Sequence, residues 1–153
     1  DAFLFCCYTG IRYSDFCNLK EDNIQRIEGN PWLIFRTIKT DTEVKLPIDL
    51  LFEGKAWKML KKYRNRLSSF FAIDANSTLN KRLIRIGLMA GIEKHFSFHS
   101  ARHTNATLLI YKGVNITTVQ KLLGHRDLST TQIYSDVMES TIVRDLKKCD
   151  KNK

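Results

Sequence analysis

Hydrophobic positions lay out the elements of this chain before any single residue points to chemistry. Residues 2–8 form an unbroken apolar run with Gly10 just behind it, which predicts a buried helix ending on a glycine cap. A second short helix is predicted from Ser14. The period then changes. Residues 23–27, residues 32–39 and the alternating Val44, Leu46 and Ile48 are rich in β-branched and aromatic side chains, with Gly29-Asn30-Pro31 as a turn between the first two. They predict a three-stranded antiparallel sheet with a hairpin at residues 40–43. Beyond it the spacing is helical. Ala56, Leu60, Tyr63 and Leu67 recur at helical intervals, as do Leu79, Leu83, Ile86 and Ala90, with Gly91 as a stop. A helix is predicted from a cap at Ser97 to Gly113, and another from the Asn115 cap to Gly124. Ser129 and Gln132 form a capping-box pattern opening a short helix that holds Tyr134. An amphipathic segment near residues 139–148 closes the chain. The fold class is mainly α with one small three-stranded antiparallel sheet (α+β).

Length and composition narrow the picture. The chain has 153 residues, no internal repeat and no Ser/Gly/Pro-rich linker, so a single domain over 1–153 is expected. It opens on Asp directly before the apolar run, and is expected to be part of a longer protein, cut within or just before its first helix. The seven-residue run at 2–8 is far short of the ~20 residues that span a bilayer, and it lacks the basic flank of a signal peptide. Cys6, Cys7, Cys17 and Cys149 form no CxxC pair and read as reduced thiols of a cytoplasmic protein.

Charge changes the picture most. Lys and Arg outnumber Asp and Glu by 25 to 16, a net +9 that calls for an anionic partner. The excess is local. Residues 54–112 hold twelve Lys/Arg against Asp74 and Glu93, net +10, and the rest of the chain nets −1. Part of this is the solvated face of helices such as the one carrying Lys55, Lys58 and Lys62. A basic stretch of this size also suits a surface that follows a phosphate backbone. A membrane surface fits less well, because the apolar helix faces are needed for the core.

Several residues could carry chemistry. His99 and Arg102 stand three apart near a predicted helix N-terminus, where free N–H groups and the dipole favour an anion. On spacing alone, a salt-bridged Arg102 with a packed His99 is an equal reading. His95, His99 and His103 recur every four residues, but His95 precedes the predicted cap and no acidic or Cys ligand accompanies them, so zinc is not expected. His103 reads as a structural or phosphate-side residue. His125 follows a helix stop at Gly124. Arg12, Lys39 and Tyr134 are unremarkable singly.

Together they carry a resemblance. Thr9-Gly10-Ile11-Arg12-Tyr13-Ser14-Asp15, Ile38-Lys39-Thr40, His99-Ser100-Ala101-Arg102-His103-Thr104, Leu122-Leu123-Gly124-His125 and Thr130-Thr131-Gln132-Ile133-Tyr134 occur in the order found in the tyrosine recombinase (phage integrase) family. The chain resembles that family's catalytic domain, and its sheet region is most similar to integrases of Bacteroides-type mobile elements. The resemblance implies an active site of Arg12, Lys39, His99, Arg102, His125 and the nucleophile Tyr134, with no cofactor. Asp15 stands where the family usually has Glu, Ala101 where it usually has Leu, and Lys45 lies close enough to Lys39 to compete for the family's lysine.

The implied activity is site-specific cleavage and rejoining of double-stranded DNA through a 3′-phosphotyrosyl intermediate, in a tetrameric synapse, by a cytoplasmic enzyme whose separate N-terminal DNA-clamping domain is absent from this chain. A type IB topoisomerase and a catalytically dead DNA-binding regulator are the rival readings.

Overall fold

The computed structural model describes residues 1–134 together with Val143 and Lys147. In chain order the elements are α1 (Ala2–Thr9), α2 (Tyr13–Cys17), β1 (Ile24–Ile27), β2 (Asn30–Arg36), β3 (Glu43–Pro47), α3 (Lys55–Lys62), α4 (Leu67–Phe71), α5 (Asn76–Met89), α6 (Ser100–Tyr111), α7 (Ile116–Leu123) and α8 (Ser129–Gln132). The class is the expected one, mainly helical with a three-stranded antiparallel sheet in the order β1-β2-β3. The amphipathic segment expected at 139–148, and Cys149, lie outside the described residues apart from Val143 and Lys147. No helix among the described residues is long and apolar enough to cross a membrane.

Helix α1 has no charged face and buries Phe5, Cys6, Cys7 and Thr9, leaving Leu4 exposed. It packs chiefly against α6, with α3 alongside. Phe5 sits 5.7 Å from both Phe16 and Phe70, and Phe71 closes on Phe16 at 5.4 Å. Cys6 and Cys7 are buried in the same core as small apolar side chains; burial pushes the Cys7 thiol up to about 11, which keeps it protonated. The sheet pairs Leu33 with Leu46 and Phe35 with Val44, and this alternating set faces the same core.

Several elements differ from their predicted boundaries: the expected Gly29-Asn30-Pro31 turn shrinks to Glu28 and Gly29, because Asn30 and Pro31 already pair with Ile27 and Arg26 as the start of β2. The helix expected through Leu67 is two helices. Tyr63 leaves helical geometry and stacks on Phe70 at 4.3 Å, and Leu67 starts α4, which drops Phe70 and Phe71 into the core. On α5 the inward residues are Leu83 and Gly87, while Ile86 is exposed. A Cβ at position 87 would come within 2.7 Å of the Phe96 ring, so close contact centres on the glycine and turns Ile86 outward. Strand β2 ends at Arg36, because Thr37 and Thr42 close the hairpin with an N–H to carbonyl bond of 2.9 Å, leaving 37–42 as a six-residue loop. Helix α6 starts at Ser100 with His99 as N-cap; the Ser97 N–H donates to Ser100 Oγ, so Ser97 does not cap the helix.

Candidate active site

The helix ends meet at one place. Gly10 adopts φ 72 to terminate α1, and a Cβ there would lie 2.6 Å from Leu123 and 2.7 Å from Asn105, so the C-terminal ends of α1 and α7 meet against the side of α6. Arg102 holds this junction. It is 3% exposed, and its Nη1 and Nη2 donate to the carbonyls of Gly10 and Leu123, each at 2.7 Å. These are C-terminal carbonyls of α1 and α7, where the dipole favours a cation. Burial, reinforced by Arg12, draws its pKa down to about 10, which leaves the guanidinium charged at neutral pH.

Arg12 enters from the N-cap of α2. Asp15, three residues on and fully buried, places Oδ2 at 3.7 Å from Arg12 Nη1, an ion pair too long for a hydrogen bond. That Nη1 is buried without a hydrogen-bond partner among the described residues. The other Asp15 oxygen accepts the Ile38 N–H at 2.8 Å, tying Arg12 to the loop that carries Lys39. The same loop is tied again: Thr40 Oγ1 donates to the Gly124 carbonyl at 3.2 Å and shares a hydrogen bond of 2.6 Å with Thr37. Lys39 is exposed at its tip, near enough to His99 to lower the imidazole pKa. Lys45 pairs with Glu43 on β3 at 3.0 Å and lines a separate cavity with His125, whereas Lys39 is the lysine that acts on His99.

Two imidazoles and a phenol complete the cluster. His125 follows the left-handed Gly124, is 8% exposed, and has its pKa pulled down to about 4 by burial and then by Arg102 and Arg12. The His99 pKa is lowered by burial, His103, Arg102, Arg12 and Lys39. Both rings are therefore neutral at pH 7. His103 crosses His99 edge-on at 4.6 Å and lies 5.4 Å from the Tyr134 ring, so it touches both rings. Tyr134 is half-buried, in the turn just after α8; Leu128 is the N-cap of that helix, so the expected capping box is not made. Burial raises its pKa, while Arg102 and Arg12 pull it the other way.

The structure thus brings all six residues expected from the sequence, Arg12, Lys39, His99, Arg102, His125 and Tyr134, into electrostatic reach of the guanidinium pair or of His99. Between the N-termini of α2, α5 and α6 lies a cavity of about 260 Å³, lined by Arg12, Asn76, His99 and Arg102. Two guanidiniums beside helix N-termini can hold a tetrahedral oxyanion, two neutral imidazoles can accept or donate one proton each, and the phenol lies within electrostatic reach of both guanidiniums and against the His103 ring. Sequence reasoning missed the ties made by Thr40 and Thr131. Their only signal was position: each is adjacent to, or three residues from, a site residue. Asp15 stands out in the sequence only as a departure from the family pattern.

The Phage integrase family model matches residues 1–140. The chain belongs to the phage integrase family. As a member it is 48% identical over 132 residues to tyrosine recombinase XerA of Saccharolobus solfataricus, covering 85% of this chain and 43% of the relative. It is 31% identical over 153 residues to tyrosine recombinase XerC of Rickettsia bellii, covering 88% and 46%. Among solved structures, this integrase-family chain superposes on the crystal structure of XerA recombinase with a TM-score of 0.70 at 28% identity, over 93% of this chain and 54% of that one. The chain spans about half the length of the curated relatives it matches.

Proposed function

We propose that this chain is the catalytic domain of a site-specific DNA recombinase or integrase that cleaves and rejoins strands through Tyr134. The observation that carries the reading is the junction itself: two guanidiniums, one with a buried unpaired N–H, both acting on the pKa of a single phenol. A scissile phosphate in the cavity would receive N–H bonds from Arg12 and Arg102. The names of its relatives, and solved neighbours described as bound to recombination-site DNA, support DNA as the substrate.

The residues divide the step between them. Tyr134 Oη attacks phosphorus while the bond to the 5′-oxygen breaks, giving a 3′-phosphotyrosyl enzyme and a 5′-hydroxyl. The phenol proton passes to neutral His99, and Lys39 supplies the proton that the leaving 5′-oxygen takes up. Arg12 and Arg102 neutralise the charge that grows on the non-bridging oxygens, with His125 as a further donor. Free tyrosine, at a pKa of ~10, costs about 4 kcal/mol to ionise at pH 7; a phenolate stabilised only as it forms, by the arginines and by the base, avoids that step.

The likeness to integrases of Bacteroides-type mobile elements, a synapse of four subunits on DNA, action on DNA in the bacterial cytoplasm beside the nucleoid, and a separate N-terminal domain clamping the opposite DNA face are parts of the same proposal. Relatives about twice the length of this chain support the last. The experiment is adduct trapping with full-length protein and Tyr134→Phe on a nicked duplex. An SDS-resistant protein–DNA adduct is expected from the first and none from the second. Adduct from Tyr134→Phe overturns the nucleophile. No adduct from the unmodified protein would favour a DNA-binding regulator, and relaxation of any supercoiled plasmid by a monomer would favour a topoisomerase.

A further inference from the structure

Thr131 is completely buried, three residues before Tyr134. A threonine in such a place must find a partner for its hydroxyl, and the partner is His125: Thr131 Oγ1 lies 2.8 Å from the ring Nδ1. With Nδ1 engaged, Nε2 is the nitrogen left for a ligand. A neutral ring has two ways to make this contact. Either the hydroxyl donates to a bare Nδ1 and Nε2 carries the hydrogen, or Nδ1–H donates to the hydroxyl and Nε2 is a lone pair. The surroundings separate the two. Arg12 and Arg102 gather an anion at this junction, and toward an anionic oxygen an Nε2–H is a hydrogen-bond donor, whereas an Nε2 lone pair is repulsive.

We propose that Thr131 is a positioning residue for the strand-transfer reaction: its hydroxyl donates to His125 Nδ1, holds the ring as the Nε2–H tautomer, and so gives the phosphate a donor beyond the two guanidiniums. This rests on the recombinase reading above and deepens it. A second contact extends the consequence. The Thr131 carbonyl accepts the Tyr134 N–H at 3.1 Å, so one residue holds both the histidine ring and the turn that presents the nucleophile. Seating Tyr134 and setting the tautomer of His125 then become one event, and a subunit whose tyrosine turn is withdrawn also loses its oriented histidine.

Ring-¹⁵N-histidine labelling of the full-length protein, with His125 assigned through His125→Gln, reads the tautomer directly and needs no DNA. The unmodified protein is expected to show a pyridine-like Nδ1 and a protonated Nε2. Thr131→Val, which removes the hydroxyl at constant shape, is expected to collapse these into averaged resonances, and Thr131→Ser to restore them. In single-turnover adduct formation Thr131→Val is expected to be slower by about tenfold, the loss of one hydrogen bond, at unchanged DNA affinity, with most of the rate recovered in Thr131→Ser. A protonated Nδ1 in the unmodified protein overturns the proposal, as do equal rates for the Val and Ser variants. If Thr131→Val fails to fold, the tautomer of the unmodified protein and the Ser variant still decide. Failure of the underlying reading is separate, because it appears as adduct from Tyr134→Phe and leaves the tautomer untouched.

Discussion

Arg102 and Arg12 are both expected to grip one phosphate, yet the fold treats them differently. Arg102 is nearly sealed and spends two N–H groups on the carbonyls that end α1 and α7. Arg102→Lys keeps the charge but cannot make both bonds, and each charged hydrogen bond lost to a buried carbonyl costs about 1.5–3 kcal/mol. That variant should therefore melt at a clearly lower temperature as well as lose adduct formation. Arg12→Lys should reduce adduct formation by about 10²–10³ and leave the melting temperature nearly unchanged, since Arg12 Nη1 has no hydrogen-bond partner among the described residues. Equal stability losses in the two variants would contradict this division. His125 adds a pH dependence. Its folded pKa of about 4 lies below the ordinary 6.5, so as pH falls through that window the unfolded ring takes a proton that the folded one refuses. Stability is thus full above pH 6.5 and declines toward pH 4, by on the order of 3 kcal/mol for this one group. Denaturant unfolding at pH 7 and pH 4.5 should show a smaller pH-dependent loss for His125→Gln than for the unmodified protein.

The loop 37–42 decides where Lys39 sits, and it is fastened to the junction through the Asp15 carboxylate and the Gly124 carbonyl. Gly124 must be glycine twice over: its φ is 64, and a Cβ there would lie 2.6 Å from Val44 and 3.0 Å from Thr37. Gly124→Ala should cost about 1–3 kcal/mol and loosen the lysine loop, which thermal melting and adduct kinetics report together. Lys39→Ala should slow cleavage much more than it weakens DNA binding. A 5′-bridging phosphorothiolate substrate, whose thiolate leaves without a proton, should restore its rate; failure of that rescue would remove Lys39 as the acid. These ties explain what was and was not legible in the sequence. Glycine stops and the Asn115 cap were legible because they are local: Asn115 Oδ1 accepts the Thr117 N–H, as its position foretold. The six candidate site residues were legible as a family pattern, and the fold gathers them around the two arginines and His99. The break at Tyr63 and the inward face of α5 were not, because Phe70 and Phe96 set them from elsewhere in the chain. Thr40 and Thr131 act across gaps of 84 and 6 residues through single hydroxyls, which no periodicity marks.

At the scale of the molecule, the basic excess between residues 54 and 112 becomes a question of which charges are free. Lys62 and Arg82 pair with Asp1 and Asp74, whereas Lys81 and Arg85 have no ion pair among the described residues and lie at helical spacing opposite the inward Leu83 and Gly87 of α5. The first residue of that helix, Asn76, lines the cavity beside Arg12 and His99. If this face follows the duplex, Lys81→Gln and Arg85→Gln should each reduce the slope of log K against log salt by about 0.9; an unchanged slope would place the DNA elsewhere. On the proposed reading the chain's charge delivers the duplex, Arg12 and Arg102 hold one phosphate, and Tyr134 does the cutting. The last of these is the central claim, and peptide mapping of the trapped adduct tests it most directly. Mass spectrometry is expected to find the nucleotide joined through its 3′-phosphate to the peptide containing Tyr134, with a 5′-hydroxyl on the released strand. A nucleotide on any other residue, or a 5′-phosphate link, would contradict it.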